Sequence, residues 1–490
     1  MIFWPAYYKH YPIMKNPEYT PQNVYNGMAL IADPIHQYIL FTVPEGKSEG
    51  KSSNEATEQT IIDSPWMQRL RRIYQLQSAR WVYPAAEHSR FQHSLGTMHM
   101  AGDFAKSIYP SLSSVCKDVP SCNYVEELLR LAGLLHDVGH GPYGHFFDDN
   151  FLSDWGLTHE KIGQTIIVQK LGKDIARIRR SPSGGFARGE KMDAQKVAYL
   201  IKMPETGEVG KYPHWLQMLR QLFSGVYTVD NLDYVQRDAY MTGFSLDMVD
   251  IQRLRYYTFF AKEGLALHQS GISALGRFLN ARLNLYTNVY FHRTTRGLDL
   301  HLQEFFHDTM NLILPGNPLE NLDEYLKCDE WSLFNKIQSW QESRDAKKKK
   351  LAAEWEKLFD RKVKWKMSFV AEISLDQIQR GVGFLTAADY EAKIREYLPK
   401  KLKDLSFKID LATQDPRPLN PITERKKRIN IFNPVTQKTS PEPLLDIYRF
   451  IPARVMHFRV FSLNHDYDGE LSAAAEKVLG NSERSIMTNI

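Results

Sequence analysis

The segment that most restricts this chain is Leu128 to His145. Leu128, Leu131, Ala132 and Leu135 trace one apolar helical face that ends in His136-Asp137, after which Gly139, Gly141, Pro142 and Gly144 stop regular helix. An ionisable pair therefore sits at a helix end. The glycine turn behind it lets His140 and His145 fold back over the pair. Seven of the sixteen histidines (His88, His93, His99, His136, His140, His145 and His159) fall in this part of the chain, far more than an even spread would put there. Imidazole is the commonest metal ligand and the usual proton carrier near neutral pH. The crowding thus reads as a metal or acid-base site, with chance clustering as the alternative. A mixed nitrogen and oxygen ligand set suits Fe, Mn, Co, Zn or Mg, because geometry and availability choose among them.

The 490 residues are 43% hydrophobic, enough to fill a core and to exclude a disordered chain. With 62 Lys+Arg against 57 Asp+Glu, anionic partners such as nucleotides are admitted, but a protein that coats polyanions is not called for. Cys116, Cys122 and Cys328 exclude a disulfide scaffold and suit a reducing compartment, so a cytoplasmic protein is expected. No uncharged apolar run is long enough to predict a membrane span. Met1 to Met14 is aromatic and proline-broken, unlike a signal peptide, and reads as a segment that packs on the fold or on a neighbouring subunit.

Three regions are expected. Residues 1–62 read as an N-terminal segment, with a strand or hairpin from Met28 to Thr42 and a mobile loop from Pro44 to Thr60. Residues 63–314 read as a helical core. Ser64 and Pro65 open its first helix, whose period runs on to Gln77, and one helical stretch runs from Ile272 to Leu314. Residues 315–490 show strand-like alternation at Ser368 to Leu375, Ser406 to Leu411, Ile429 to Phe432 and Ala453 to Leu463, before a final helix. The fold class is therefore mainly α, with a smaller α+β C-terminal region.

Arg90-Phe-Gln-His93-Ser, Leu134-Leu-His136-Asp137-Val-Gly-His140-Gly-Pro-Tyr-Gly-His145, and Asp230 within VDNLDYVQRD resemble the H…HD…D signature of HD-domain phosphohydrolases. Within that superfamily the chain looks like the deoxynucleoside triphosphate triphosphohydrolase branch, from about Asp33 to Met310. The resemblance implies that His93, His136, Asp137 and Asp230 hold one divalent metal, and that His145 with Asp148 forms a catalytic pair. It further implies that His140 and His159 line the phosphates, that Arg90 and Tyr234 contact phosphate, and that Gln75, Leu76 and Asp238 meet the sugar. The implied substrate is a deoxynucleoside triphosphate, split by water into deoxynucleoside and inorganic triphosphate. One position departs: where the branch's human member has a lysine, this chain has Asn231. Asp63, Gln68 and Arg71 match positions that read an activating nucleotide between subunits, although Ala29 and Ala32 replace the lysine and asparagine that complete that site. A homo-oligomer, tetramer or dimer, is implied by the resemblance alone.

Helical spacing gives an independent reading. Asp230, Tyr234 and Asp238 stand at i, i+4 and i+8 and share a stripe. Asp233 and Arg237 read as an ordinary ion pair on the adjacent face, and His88 and His99 as satisfied polar or core-edge histidines. Arg69, Arg71 and Arg72 read equally well as part of a nucleotide site or as a solvated helix face. Two alternatives to a triphosphohydrolase stay open. One is a phosphohydrolase acting on a monophosphate, cyclic nucleotide or alarmone. The other is a nucleotide or nucleic-acid sensor, motivated by Lys347 to Lys350 and Glu424 to Arg428, although such runs are more often solvated faces.

Overall fold

The computed structural model describes residues 26–45, 54–202, 211–244, 249–374, 385–414, 430–440 and 455–480. Met1 to Met14 and Glu424 to Arg428 lie outside these residues. Strands β1 (Met28–Asp33) and β2 (Gln37–Thr42) form the expected hairpin, and the Asp33 carboxylate accepts from the amides of Ile35 and His36 in its turn. The loop expected to reach Thr60 ends earlier, in helix α1 (Glu58–Ile62). Thr57 and Thr60 cap this helix reciprocally, and buried Glu58 accepts from the Thr42 amide (2.8 Å) and from Arg130 Nε (2.5 Å). Ser64 caps α2 (Pro65–Arg69) as read. Its period does not continue to Gln77, because a 3-10 turn at Leu70–Arg72 is followed by extended Ile73, and Tyr74 then bridges to Ser89.

The centre of the molecule is α3 (Arg90–Val115) packed along α4 (Cys122–Leu135). The short α5 (His145–Asn150), then α6 (His159–Gln169), α7 (Ala194–Ile201) and α8 (Val229–Thr242) surround this pair. Hairpin β3 (Thr258–Ala261) and β4 (Gly264–His268) falls inside the region read as helical core. The continuous helix expected from Ile272 to Leu314 is three helices, α9 (Ile272–Leu285), α10 (Arg293–Gln303) and α11 (Phe306–Ile313). A π-helical turn at Tyr286–Tyr290 and an N-cap at His292 separate the first two.

The boundary drawn at residue 314 cuts through one packed unit. Helices α12 (Glu330–Trp340) and α13 (Ala346–Phe359) contribute Leu333, Ile337, Trp340, Leu351, Trp355 and Leu358 to the same apolar core as α3 and α4. Glu330 is buried, and its carboxylate accepts from the amides of Tyr74 (2.9 Å) and Tyr143 (2.7 Å), pinning the segments that flank the glycine turn. A second core begins only afterwards. Strands β5 (Lys366–Ser374), β6 (Phe407–Gln414) and β9 (Val455–Ser462) form an antiparallel sheet in the order β5-β9-β6, packed on α14 (Ala387–Tyr397) and α15 (Asp468–Leu479). Between them in sequence, β7 (Asn430–Asn433) and β8 (Lys438–Ser440) leave this sheet, and β7 pairs in parallel with β4. The chain is thus mainly α, with a helical core and a smaller strand-containing region. No helix among the described residues is long and apolar enough to cross a membrane.

Trp355 tests the extended core. It is fully buried, donates from Nε1 to Thr309 Oγ1 (3.0 Å), and its ring meets Tyr143 at 5.8 Å and Phe305 at 5.3 Å. Trp355→Ala should cost about 3–5 kcal/mol and lower the melting transition of the helical core itself. A calorimetric trace in which only a separate minor transition moves would contradict this.

Candidate active site

The sequence brings four segments to one point. Ser89 and Gln92 cap α3 reciprocally, which sets His93 one turn into the helix. His136 is the C-cap of α4. Thr228 and Asn231 form a capping box at the start of α8, placing Asp230 in its first turn. Gly139 and Gly144 are needed in the turn that carries His140 and His145. A side chain at Gly139 would lie 2.0 Å from the carbonyl of His159, and one at Gly144, whose φ is +54°, would meet Arg90 Nη2 at 2.2 Å.

His93, His136 and Asp230 each offer one ligand atom, all within 4.8 Å of one another. His93 Nε2 lies 3.1 Å from His136 Nε2 and 3.0 Å from Asp230 Oδ1. Asp137 stands at the edge of this group, its Oδ1 3.3 Å from His136 Nε2 and its Oδ2 bonded to Arg90 Nη1 (2.7 Å). The outward nitrogens are also committed. His93 Nδ1 bonds Asp233 Oδ2 (2.8 Å), and His136 Nδ1 donates to the Gly133 carbonyl (2.8 Å). With Nδ1 so committed, each imidazole can turn an Nε2 lone pair towards the group once Nε2 has lost its proton, the tautomer that metal ligation requires. Burial disfavours charge on His93, yet its bonds to Asp230 and Asp233 outweigh that and raise it to about 10. The carboxylates thus hold a positive charge at this point, and the residues present fit a divalent cation.

Asp233 was missed as a functional residue. Its i, i+4 pair with Arg237 is present as read (2.9 Å), but it is fully buried and has further partners. Asp233 also accepts from His36 Nε2 (2.6 Å), while Arg237 reaches Asp33 (2.8 Å). The β1–β2 turn is therefore wired to His93 through Asp233. Gly96 makes room for this, since a Cβ there would lie 1.9 Å from Asp233 Oδ1. Spacing gave the pair; its burial depends on partners some 200 residues away and was not readable locally.

The remaining expected residues fall in two groups. His140, His145 and His159 form a second cluster with one ring nitrogen each within 4.8 Å. Asp148 lies 4.0 Å from His145 Nδ1 and is instead hydrogen-bonded to His159 Nδ1, because its carboxylate also caps the His159 amide (3.4 Å) at the start of α6. The side chain of His145 is 65% exposed. Desolvation by surrounding protein atoms first, and the nearby His159 and Arg90 second, hold it down to about 4. Burial, followed by Arg90 and His159, keeps His140 well below the usual histidine range. The stripe on α8 is formed: the Tyr234 ring lies 6.3 Å from that of His93, and Asp238 accepts from Tyr290 Oη (2.6 Å) and pairs with His88 Nε2 (2.8 Å). Buried His88 and half-buried Tyr290 thus hold a carboxylate of the stripe. Leu76 is buried, and Gln75 donates its amide to the His88 carbonyl (3.0 Å). Among these residues, the buried atoms Gln75 Oε1, Arg90 Nε, Asp148 Oδ1 and His140 Nδ1 have no hydrogen-bond partner, and His140 Nε2 faces the Asp137 carboxylate at 3.3 Å.

At the proposed activator positions, Arg71 Nε donates to Gln68 Oε1 (2.8 Å) and Asp63 is exposed. Arg69 is not on a solvated face. It is fully buried, with Nε on the Cys328 carbonyl (3.0 Å) and its guanidinium over Tyr325.

A helix-end His-Asp pair thus stands inside a helical core, beside a group that fits a divalent cation. Residues 90–202 match the HD domain family. An uncharacterized protein of Bacillus subtilis is 28% identical over 329 residues, 64% of this chain and 66% of that protein. A protein of Dictyostelium discoideum named deoxynucleoside triphosphate triphosphohydrolase SAMHD1 homolog is 25% identical over 294 residues, 59% of this chain and 54% of that protein. The matches thus span from about half to two thirds of these relatives' own lengths. The crystal structure of a hypothetical protein from Aquifex aeolicus superposes with a TM-score of 0.63 at 22% identity, over 92% of this chain and 100% of that one.

Asp233→Asn should weaken divalent metal binding by about 10- to 100-fold with the fold retained, as read by calorimetry and circular dichroism. An incoming cation must also displace the proton that His93 holds up to about 10, so metal affinity should rise with pH below that value. Titrations in buffers of different ionisation heat should register proton release, and pH-independent binding would contradict the assignment.

Proposed function

We propose that this site hydrolyses deoxynucleoside triphosphates to deoxynucleoside and inorganic triphosphate. The observation that carries the reading is the set of buried, unpartnered polar atoms of Gln75, Arg90, His140 and Asp148 beside the His93–His136–Asp230 group. A ligand bearing both phosphate and sugar oxygens would complete them. The likeness to the Dictyostelium protein supports the same substrate class.

His93, His136, Asp137 and Asp230 would hold a divalent cation, which when bound would supply Lewis-acid polarisation of a phosphoryl oxygen. Arg90 and the imidazoles of His140 and His159 face charge that grows on the phosphates, and Tyr234 adds a hydroxyl donor. The leaving 5′-oxygen is a poor leaving group and needs a proton. His145 is neutral near pH 7 in the free protein, and the approaching polyanion raises its proton affinity, so it takes up a proton within the complex. Water adds to the α-phosphorus and gives up its proton to the solvent, the bond from α-phosphorus to the 5′-oxygen breaks, and His145 passes its own proton to that oxygen. Asp148 positions His159 through Nδ1. The carboxylate oxygens of Asp238, each already accepting one bond, retain lone pairs for a sugar hydroxyl, with Gln75 and Leu76 bounding the sugar. An activating nucleotide at Asp63, Gln68 and Arg71, and a homo-oligomer that completes its site, belong to the same proposal. Such a ligand would have to open the Arg71–Gln68 bond.

Incubation with each deoxynucleoside triphosphate and Mn²⁺ should release tripolyphosphate, and release of pyrophosphate or orthophosphate would reject the substrate assignment. His145→Ala should retain metal yet lose turnover by about 10²- to 10⁴-fold, whereas His136→Ala with Asp137→Ala should lose both. Equal metal loss in the two variants would refute this division of roles.

A further inference from the structure

The group of His140, His145 and His159 is given a proton donor and phosphate contacts above, yet its composition is that of a second metal site. One ring nitrogen from each residue lies within 4.8 Å of the others. The His140 and His159 rings stack at 3.6 Å, and His145 closes against them edge-on at 5.0 and 5.1 Å. Asp148 takes His159 Nδ1, the carboxylate–imidazole pairing that fixes a ligating tautomer and leaves Nε2 with its lone pair. His140 is fully buried, and its Nδ1 has no hydrogen-bond partner. Asp137 Oδ1 lies 3.3 Å from His140 Nε2 and 3.3 Å from His136 Nε2, so one carboxylate stands between the two histidine groups. The exposed side chain of His145 leaves the group open to solvent, whereas His93 is buried.

Three imidazoles suit a borderline-soft cation such as Zn²⁺ and suit Mg²⁺ or Ca²⁺ poorly. Arg90, bonded to the other oxygen of Asp137, opposes a cation here. The second site is therefore weaker than the one at His93, which faces the carboxylates of Asp230 and Asp233.

We propose that His140, His145 and His159 bind a second cation of the zinc type, in competition with the substrate's phosphates. Zinc bound there occupies the lone pair of His145 and silences hydrolysis; this consequence rests on the role given to His145 above, whereas the binding itself does not.

The test uses the full chain carrying one Mn²⁺, dialysed against ZnCl₂ in the presence and absence of inorganic tripolyphosphate. Bound metals are counted by elemental analysis, and the affinity is measured by calorimetry. The wild type should take up one further zinc without losing manganese. His140→Gln and His159→Gln, with unchanged circular dichroism, should weaken that zinc by at least about tenfold, and tripolyphosphate should do the same to the wild type. His93→Ala should lose manganese but keep the zinc. No further zinc in the wild type, or the same zinc in both glutamine variants, would overturn the site. Zinc that binds as expected while hydrolysis continues undiminished would overturn the silencing and His145's role, leaving the site in place. A protein that binds zinc as expected but hydrolyses no deoxynucleoside triphosphate would refute the substrate reading alone.

Discussion

The arrangement depends on the imidazole of His93 being clamped from both sides. Asp230 and His136 meet its Nε2, and Asp233 meets its Nδ1, all within the interior. Desolvation alone would expel charge from such a place, and it is the carboxylates that reverse the balance and demand a cation. Asp233 is itself neutralised by Arg237 and bonded to His36, so the acid can be buried without being left unpaired. Every element near the site serves this clamp. The caps of α3 and α8 fix the height of His93 and Asp230, and Gly96 lets the two helices approach closely enough for Asp233 to reach across.

Much of the site was legible because its signals are local. The apolar face running into His136-Asp137 put a charged pair at a helix end, where His136 is found as a C-cap. The i, i+4, i+8 spacing of Asp230, Tyr234 and Asp238 put them on one stripe, and their contacts with His93, His88 and Tyr290 follow from it. What was not legible depends on distant partners. Asp233 looks like half of an ordinary helical pair until Asp33 and His36 arrive from the hairpin. Arg69 looks solvated until Tyr325 and Cys328 cover it. The pairing of Asp148 with His159 rather than His145 turns on an amide at the start of another helix. The parallel pairing of β4 with β7 joins strands more than 160 residues apart, which no short-range pattern encodes.

Asn231 stands where the human member of the resembling branch has a lysine, and the structure gives it local work. Its side chain accepts from the Thr228 amide (2.7 Å) while its own amide donates to Thr228 Oγ1 (3.1 Å). A lysine has no acceptor with which to close that box. The positive charge is thus exchanged here for a tighter start to the helix that carries Asp230. Around the phosphate positions, fixed positive charge falls chiefly to Arg90, which is shared with Asp137.

Glu330 gives the C-terminal half a stake in the chemistry. Its buried carboxylate receives the amides of Tyr74 and Tyr143, one beside the Gln75–Leu76 pair and the other inside the glycine turn. Two segments beside the candidate site are therefore moored to a helix that the signature motif does not include. Evolution could not readily transplant the motif-bearing stretch as a self-sufficient cassette. Sequence drift in α12, remote from any ligand, would be felt as altered loop geometry around the guest, so this helix belongs to the heritable definition of the pocket even though it contributes no chemistry of its own.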